Sequence, residues 1–161
     1  MAPANDANAA PPLQLSRVLR ARREIVFRAW SSAEHIKRWF APEGCTVAEA
    51  TVEMRVGGRF ELSMRSPDGM ENWLRGTFVE IVPNTRLVID MRIDDSAGAP
   101  LFRAYTELDF TDAPGGTRLD VTQTYTLIDL SKAWMLAGAP QGWNSTLDNL
   151  GREVLRMEAG T

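Results

Sequence analysis

The most regular apolar pattern in the chain lies near its C-terminal end. Between Pro140 and Met157, apolar residues recur at three- and four-residue steps: Trp143, Leu147, Leu150, Val154 and Met157. This spacing predicts a helix with one apolar stripe. Five polar or charged residues fall off the stripe: Asn144, Asp148, Asn149, Arg152 and Glu153. One helix cannot bury such a stripe by itself, so other elements must cover it.

The preceding chain instead alternates apolar and polar residues with a period of two, which predicts strands. The segments with this pattern are 13–19, 46–54, 59–65, 73–82, 86–93, 102–110 and 117–125. Turn sequences such as Gly57-Gly58 and Pro83-Asn84 separate them. Both faces of segment 73–82 are partly apolar, so the face that points inward stays open.

Two short helices are predicted between the first and second strands. Ile25 with Ala29, and Val26 with Trp30, are helix-spaced pairs. Ile36, Trp39 and Phe40 form the apolar face of the second helix, which ends before the Pro42 and Gly44 that follow. The order of elements contains no alternating helix–strand crossovers, so the sheet should be antiparallel.

The predicted fold class is therefore α+β. A curved antiparallel sheet of about seven strands grips the long C-terminal helix, with two short helices after strand one. Residues 1–12 are rich in Ala, Asn and Pro and lack periodicity, which predicts a flexible tail. Residues 13–161 are predicted to form one domain, because no repeat or second domain is visible.

Composition narrows the function classes. The net charge of -3 and the absence of a basic run argue against nucleic-acid binding. No apolar run approaches the roughly 18 residues of a membrane span, and no secretory signal is apparent at the N-terminus. The lone Cys45 cannot form an internal disulfide, which fits a cytoplasmic location.

Several short motifs occur in an order that carries a family resemblance. They are RREIVFRAW at 22–30, EHIKRWFAP at 34–42, Gly57-Gly58-Arg59-Phe60, Asp68-Gly69, Gly76 with Glu80-Ile81, Pro83 with Arg86-Leu87-Val88, Gly116-Thr117 and Gly142-Trp143. The set resembles the START-like, Bet v-like (SRPBCC) superfamily, and more narrowly its activator of Hsp90 ATPase homologue (AHSA-type) branch. Ala21-Arg22 stands where the family often has Ala-Pro, and Ser32-Ala33-Glu34 stands where it often has Asp-Pro-Glu. Both departures change only a helix start.

The resemblance implies a helix-grip fold with a cavity between the sheet and the long helix. It leaves three functions open. The first is binding of a small apolar or aromatic molecule. The second is a co-chaperone-like interaction with an Hsp90-type ATPase, which would imply a stress response. The third is an enzyme of the polyketide aromatase/cyclase sort. The identity of the ligand or partner, and whether the chain is a monomer or a homodimer, stay undetermined.

The candidates for lining such a cavity are large aromatic rings, neighbouring apolar residues and two polar side chains of the last strand. They are Trp39, Phe40, Phe60, Leu62, Trp73, Gln123, Tyr125, Trp134, Met135, Trp143 and Leu147. The large rings suit either core packing or a pocket wall. Strand alternation carries Gln123 and Tyr125 inward together with Leu119 and Val121. A polar pair there suggests that the helix diverges and leaves a cavity on the order of several hundred Å³.

Catalytic and metal sites are not predicted, and no cofactor is expected. His35 is the single histidine, and its place opposite the apolar face predicts an exposed residue. Without a second histidine as its base, Cys45 is expected to be a small buried or half-buried apolar residue. The acidic loop at 94–98 lacks calcium-loop spacing and is expected to be solvated. Segment 131–138 is either the first turns of the final helix or a movable lid.

Overall fold

Seven strands form one antiparallel sheet in the computed structural model, which describes residues 11–160. The strands are β1 Leu13–Leu19, β2 Thr46–Val52, β3 Arg59–Arg65, β4 Glu71–Val82, β5 Arg86–Asp94, β6 Pro100–Ala113 and β7 Gly116–Leu127. Their order is β1-β7-β6-β5-β4-β3-β2, so consecutive strands from β2 to β7 pair as hairpins and β1 closes on β7. The predicted α+β class and sheet are confirmed. Residues 1–10 of the predicted tail lie outside the described residues.

Helices occupy the two places where the sequence predicts them. They are α1 Arg23–Ser31, α2 Ala33–Trp39, α3 Ala133–Ala137 and α4 Ala139–Ala159, with a 3-10 turn at Leu130–Lys132 before α3. Gly138 separates α3 from α4. Segment 131–138 is thus distinct from the final helix. Among residues 11–160, none of the helices has the length and apolarity that crossing a bilayer requires.

The stripe of α4 is buried against the sheet and the two N-terminal helices. Leu147, Leu150 and Val154 are fully buried, and Trp143 and Met157 are nearly so, as the helical spacing predicts. This burial removes a large apolar area from water, which is the main source of stability in a fold of this kind.

Trp30 on α1 is the centre of an aromatic cluster that joins the helices to the sheet. Its ring centroid lies 4.7 Å from that of Trp39, 5.7 Å from Phe40 and 6.3 Å from Trp143. Phe60 on β3 stacks on the same ring at 6.4 Å. The cluster fills one end of the space between sheet and α4, so that end is packed core.

The expectation that His35 is a solvated residue is wrong. Its side chain is 21% exposed, and Nδ1 lies 2.7 Å from Oε2 of Glu153 on α4. Glu153, which falls off the predicted stripe, is only 5% exposed and also accepts two hydrogen bonds from Arg156. The physical reason is that α2 packs sideways on α4, so a flank outside the apolar face becomes a helix–helix contact.

The ion pairs of Glu153 with His35 and Arg156 should make the free energy of unfolding depend on pH. Burial raises the pKa of Glu153, but hydrogen bonds from Arg156 and His35 outweigh it and hold the pKa below the ordinary value. A carboxyl with a lowered pKa stabilises the fold above the unfolded value of about 4.3, and this stabilisation is lost as the pH falls through the folded pKa. We expect Glu153→Gln to lower the free energy of unfolding by about 1–2 kcal/mol at neutral pH.

Denaturant melts across a pH series check this expectation, with Glu34→Gln as the control. Glu34 is 78% exposed, and its ion pair with Arg38 lies at the surface. The deficit of Glu153→Gln should shrink below about pH 4, where the wild-type carboxyl becomes protonated too. A deficit that stays constant from neutral to acidic pH would show that the charge of Glu153 contributes nothing.

The expectation of a solvated loop from Asp94 onward is wrong at its first residue. β5 continues to Asp94, whose side chain is 1% exposed and pairs with Arg92 at 2.8 Å and with Arg75 at 3.3 Å. The strand continues because Asp94 still has a cross-strand partner, Trp73 on β4. Asp95 is a loop residue, and its carboxylate accepts hydrogen bonds from the loop backbone.

Candidate functional site

A cavity of about 450 Å³ lies between the sheet and the first turns of α4. This volume falls within the range of small-molecule sites, which is roughly 300–1,000 Å³. On the helix side it is lined by Ala139, Gly142, Trp143 and Thr146, which share one face by their three- and four-residue spacing. They continue the apolar stripe of α4 toward its N-terminal end.

The cavity exists because small residues stand where the stripe would otherwise present large ones. Glycine or alanine occupies positions 138, 139 and 142, and Ala104 faces them from β6. Further along the helix, Leu147 and Leu150 fill the equivalent space completely. The change from large to small side chains along one helix face thus converts packed core into open volume.

The floor of the cavity is formed by inward-facing residues of the four longest strands. Leu74 on β4 pairs with Ile93 on β5, and Met91 on β5 pairs with Ala104 on β6. Ala104 in turn pairs with Tyr125 on β7, so Met91, Ala104 and Tyr125 form one row across the sheet. Because side chains alternate along a strand, these cross-strand rows form a continuous apolar surface.

The rim is formed by two separate parts of the chain. Phe40, Pro42 and Cys45 line the cavity after α2, and Trp134, Met135 and Leu136 line it from α3. Trp134 is 67% exposed although it borders the cavity. The cavity is therefore open to solvent beside α3.

A closed hydrogen-bond network occupies the inner end of the cavity. The carbonyl oxygen of Gln123 accepts from the Tyr125 hydroxyl and, at 2.9 Å, from Nε1 of Trp143. The Gln123 amide donates to the Thr106 hydroxyl at 2.9 Å, and Thr106 donates to the carbonyl of Ala104. The network links β7 to α4 and supplies partners for groups that would otherwise be costly to bury.

The titratable groups that border the cavity stay neutral near neutral pH. Burial raises the pKa of Tyr125, so its hydroxyl keeps its proton and its donor role. Burial and the nearby Asp68 carboxylate raise the pKa of Cys45, which keeps the thiol protonated. The lining residues in the described part of the chain include no charged side chain. Within that part, no three His, Cys, Asp or Glu residues cluster as metal ligands.

Asn72 is the exception among the polar groups. It lies on β4 opposite Met64 and borders the cavity. Its Oδ1 atom is buried and, within residues 11–160, has no hydrogen-bond partner. A buried unpaired acceptor costs on the order of 1–3 kcal/mol. A hydrogen-bond donor at this position would remove that cost.

Six of the eleven predicted lining residues border this cavity. They are Phe40, Gln123, Tyr125, Trp134, Met135 and Trp143. The structure brings together residues from α2, β7, α3 and α4 that are far apart in sequence.

The other five predicted residues lie elsewhere. Trp39, Phe60, Leu62 and Leu147 are packed in the core, where each is at most 1% exposed. Trp73 lies on the opposite face of β4 from Leu74, and the guanidinium of Arg75 sits 4.7 Å from its ring centroid. The burial pattern of β4 thus resolves the open question about segment 73–82, because Leu74, Gly76 and Phe78 point inward.

Sequence reasoning missed Asn72, Leu74, Met91 and Ala104 on the floor and the small residues of α4. Asn72 and Leu74 could not be predicted, because the sequence did not show which face of β4 points inward. The signal that could have found the helix wall is the run of small residues at positions 138, 139 and 142, in phase with the apolar stripe.

Comparison with known sequences gives one family. The profile of the family described as activator of Hsp90 ATPase homolog 1-like protein matches residues 20–154. Among curated proteins, none matches the chain.

Solved structures of similar proteins share the whole fold. A protein of Rhizobium leguminosarum is 28% identical, covering 91% of this chain and 95% of its own, with a TM-score of 0.79. An AHSA1-like protein of Aeromonas hydrophila is 27% identical, covering 91% of this chain and 94% of its own, with a TM-score of 0.68. A protein of Nitrosomonas europaea, at 24% identity and a TM-score of 0.78 over 96% and 99% of the two chains, is similar in fold.

Proposed function

The chain belongs to the activator of Hsp90 ATPase homolog 1-like family, and from that premise we propose that it binds a small apolar or aromatic molecule in the cavity between the sheet and α4. The observation that carries this proposal is the open volume of about 450 Å³ with an apolar floor. Natural cores are filled to high density, so a void of this size at the end of a packed core favours a role for the space.

The chemistry of the walls supports binding more than catalysis. Tyr125 and Cys45 both have raised pKa values, and His35 points to Glu153 on α4. A general base that works near neutral pH needs a pKa close to that pH, which these lining groups do not have. The aromatase/cyclase and co-chaperone alternatives rest on the family resemblance, whereas the binding function has a physical basis in the cavity.

A size series at Gly142 tests the proposal. Among residues 11–160, no atom outside its immediate helix surroundings lies within 4 Å of the place a Cβ would occupy there. A side chain at this position therefore has room for its first carbon, and Gly142→Leu should occupy part of the cavity; it should also stabilise α4 because glycine is a poor helix former. N-phenyl-1-naphthylamine, a neutral dye that brightens in apolar sites, should bind the wild type saturably and lose at least about tenfold in affinity in Gly142→Leu.

Gly142→Ala is the matched control, because a methyl group leaves most of the volume free. It should keep dye binding while gaining stability from the same helix propensity. Equal dye affinity in all three proteins, with the variants folded by circular dichroism, would place the dye outside the cavity and contradict the proposal. Absence of saturable binding to the wild type would contradict it as well.

A cytoplasmic location is part of this proposal. Cys45 is a free thiol and the single cysteine of the chain, which suits a reducing compartment.

A further inference from the structure

We propose that the ligand is a neutral molecule with an apolar or aromatic body and one hydroxyl-type group that hydrogen-bonds the amide of Asn72. This inference rests on the proposed binding function and specifies the chemical class of the ligand. It would make Asn72 the residue that determines polar specificity in the site.

Asn72 is singled out because Gln123, the other amide that borders the cavity, already has its partners. Gln123 accepts from both Tyr125 and Trp143 and donates to Thr106. The carbonyl oxygen of Asn72, by contrast, is buried without a partner in the described part of the chain. Such groups are uncommon in folded proteins, and each one asks for an explanation. In the described orientation Oδ1 is turned away from the open space, so a ligand in the cavity would complete its hydrogen bond once the side-chain amide turns over.

A hydroxyl is the group that fits this amide in either orientation. The oxygen and nitrogen of an asparagine side chain exchange places when the amide turns over. A ligand hydroxyl donates to the oxygen in one orientation and accepts from the nitrogen in the other. An ether or ketone can pair only with the nitrogen, in one of the two orientations, and a hydrocarbon pairs with neither end of the amide.

The walls favour a neutral ligand. The lining residues described by the structure carry no charged side chain, and an ion moved from water into such a site is costly without a counter-charge. Cys45 and Tyr125 do not change this balance, since the thiol and the phenol both keep their protons. A carboxylate or ammonium ligand would therefore lose affinity relative to a hydroxyl of the same size.

Strand register orients the ligand in the cavity. Asn72 precedes Leu74 on the inward face of β4, and Leu74 pairs with Ile93, which in turn pairs with Phe102 on β6. The hydroxyl group would lie at the β4 side. The apolar body would extend across β5 and β6 toward the ring of Tyr125 on β7.

Isothermal titration calorimetry with three naphthalenes of similar size tests the inference. The probes are 2-naphthol, which carries the hydroxyl, 2-methylnaphthalene, which carries no polar group, and 2-naphthoate, which is anionic. The wild type should bind 2-naphthol about tenfold more tightly than 2-methylnaphthalene, as one buried hydrogen bond is worth about that factor. It should bind 2-naphthoate the most weakly.

Asn72→Leu, which has a similar size and no hydrogen-bonding group, should remove this preference. Its affinity for 2-naphthol should fall to that of 2-methylnaphthalene, which itself should bind as well as before or better. Asn144→Leu serves as the matched control, because Asn144 is exposed on α4 and its replacement should leave all three affinities unchanged.

The outcomes separate this inference from the proposed function. Equal wild-type affinities for 2-naphthol and 2-methylnaphthalene, or a preference that survives in Asn72→Leu, overturn the role of Asn72 and leave binding intact. If 2-naphthoate binds more tightly than the other two probes, the inference that the ligand is neutral is wrong. Failure of every naphthalene and of N-phenyl-1-naphthylamine to bind the wild type contradicts the proposed function itself.

Discussion

Replacing Leu147 with alanine is expected to lower the free energy of unfolding by about 2–5 kcal/mol, the range for truncating a large side chain in a packed core. Leu147 is fully buried in the middle of the α4 stripe. The stripe packs against the sheet and the two N-terminal helices, and these elements are held by their own backbone hydrogen bonds, so they can collapse only partly into the new space. The lost methyl groups therefore leave a cavity, whose cost adds to the lost transfer free energy.

A matched control for this substitution lies on the same helix. Leu155 is 49% exposed, so Leu155→Ala removes the same atoms from a surface position and should change stability by no more than about 0.5 kcal/mol. Urea melts of both variants, with equal slopes, measure the difference. A loss for Leu147→Ala as small as that for Leu155→Ala would show that the register of α4 on the sheet differs from the one described.

The period of apolar residues was enough to predict the sheet and α4. Strand alternation and helical spacing each record one buried face. Prediction failed where a residue makes its contacts off that face. Asp94 extends β5 because Trp73 lies opposite, and Glu153 is buried because α2 packs on the flank of α4. A single-sequence pattern contains no record of such lateral contacts.

The candidate site was predictable only in part, for a related reason. A cavity wall and a packed core have the same apolar pattern, so Trp39 and Phe40, which are adjacent in the chain, look equivalent. In the structure Trp39 donates its indole hydrogen to the carbonyl of Ala29 inside the core, while Phe40 borders the cavity. Trp39 and Phe40 differ in how much space the neighbouring elements leave beside them. Beside Phe40 that space depends on small residues such as Gly142 and Ala104, which a search for hydrophobic periodicity does not detect.

The polar network at the inner end of the cavity leads to a second large effect. Gln123→Leu keeps the approximate volume of the side chain but removes the acceptor shared by the Tyr125 hydroxyl and Trp143 Nε1. Each buried donor left unpaired costs about 1–3 kcal/mol. We therefore expect a loss of roughly 2–4 kcal/mol in the free energy of unfolding, since two donors lose their partner together. Tyr125→Phe removes one donor and leaves Gln123 paired with Trp143, so its loss should stay near 0.5–1.5 kcal/mol, the net value of one hydrogen bond.

The double variant Gln123→Leu/Tyr125→Phe distinguishes this network from ordinary packing. With the tyrosine hydroxyl gone, only Trp143 Nε1 is orphaned, so the double variant should be more stable than Gln123→Leu alone. Packing losses at the two positions would instead add, and the double variant would then be the least stable of the three. A loss below about 0.5 kcal/mol for Gln123→Leu would mean that both donors find water in the cavity. The inner end would then be wet, and an apolar ligand would have to displace that water before it could reach the ring of Tyr125.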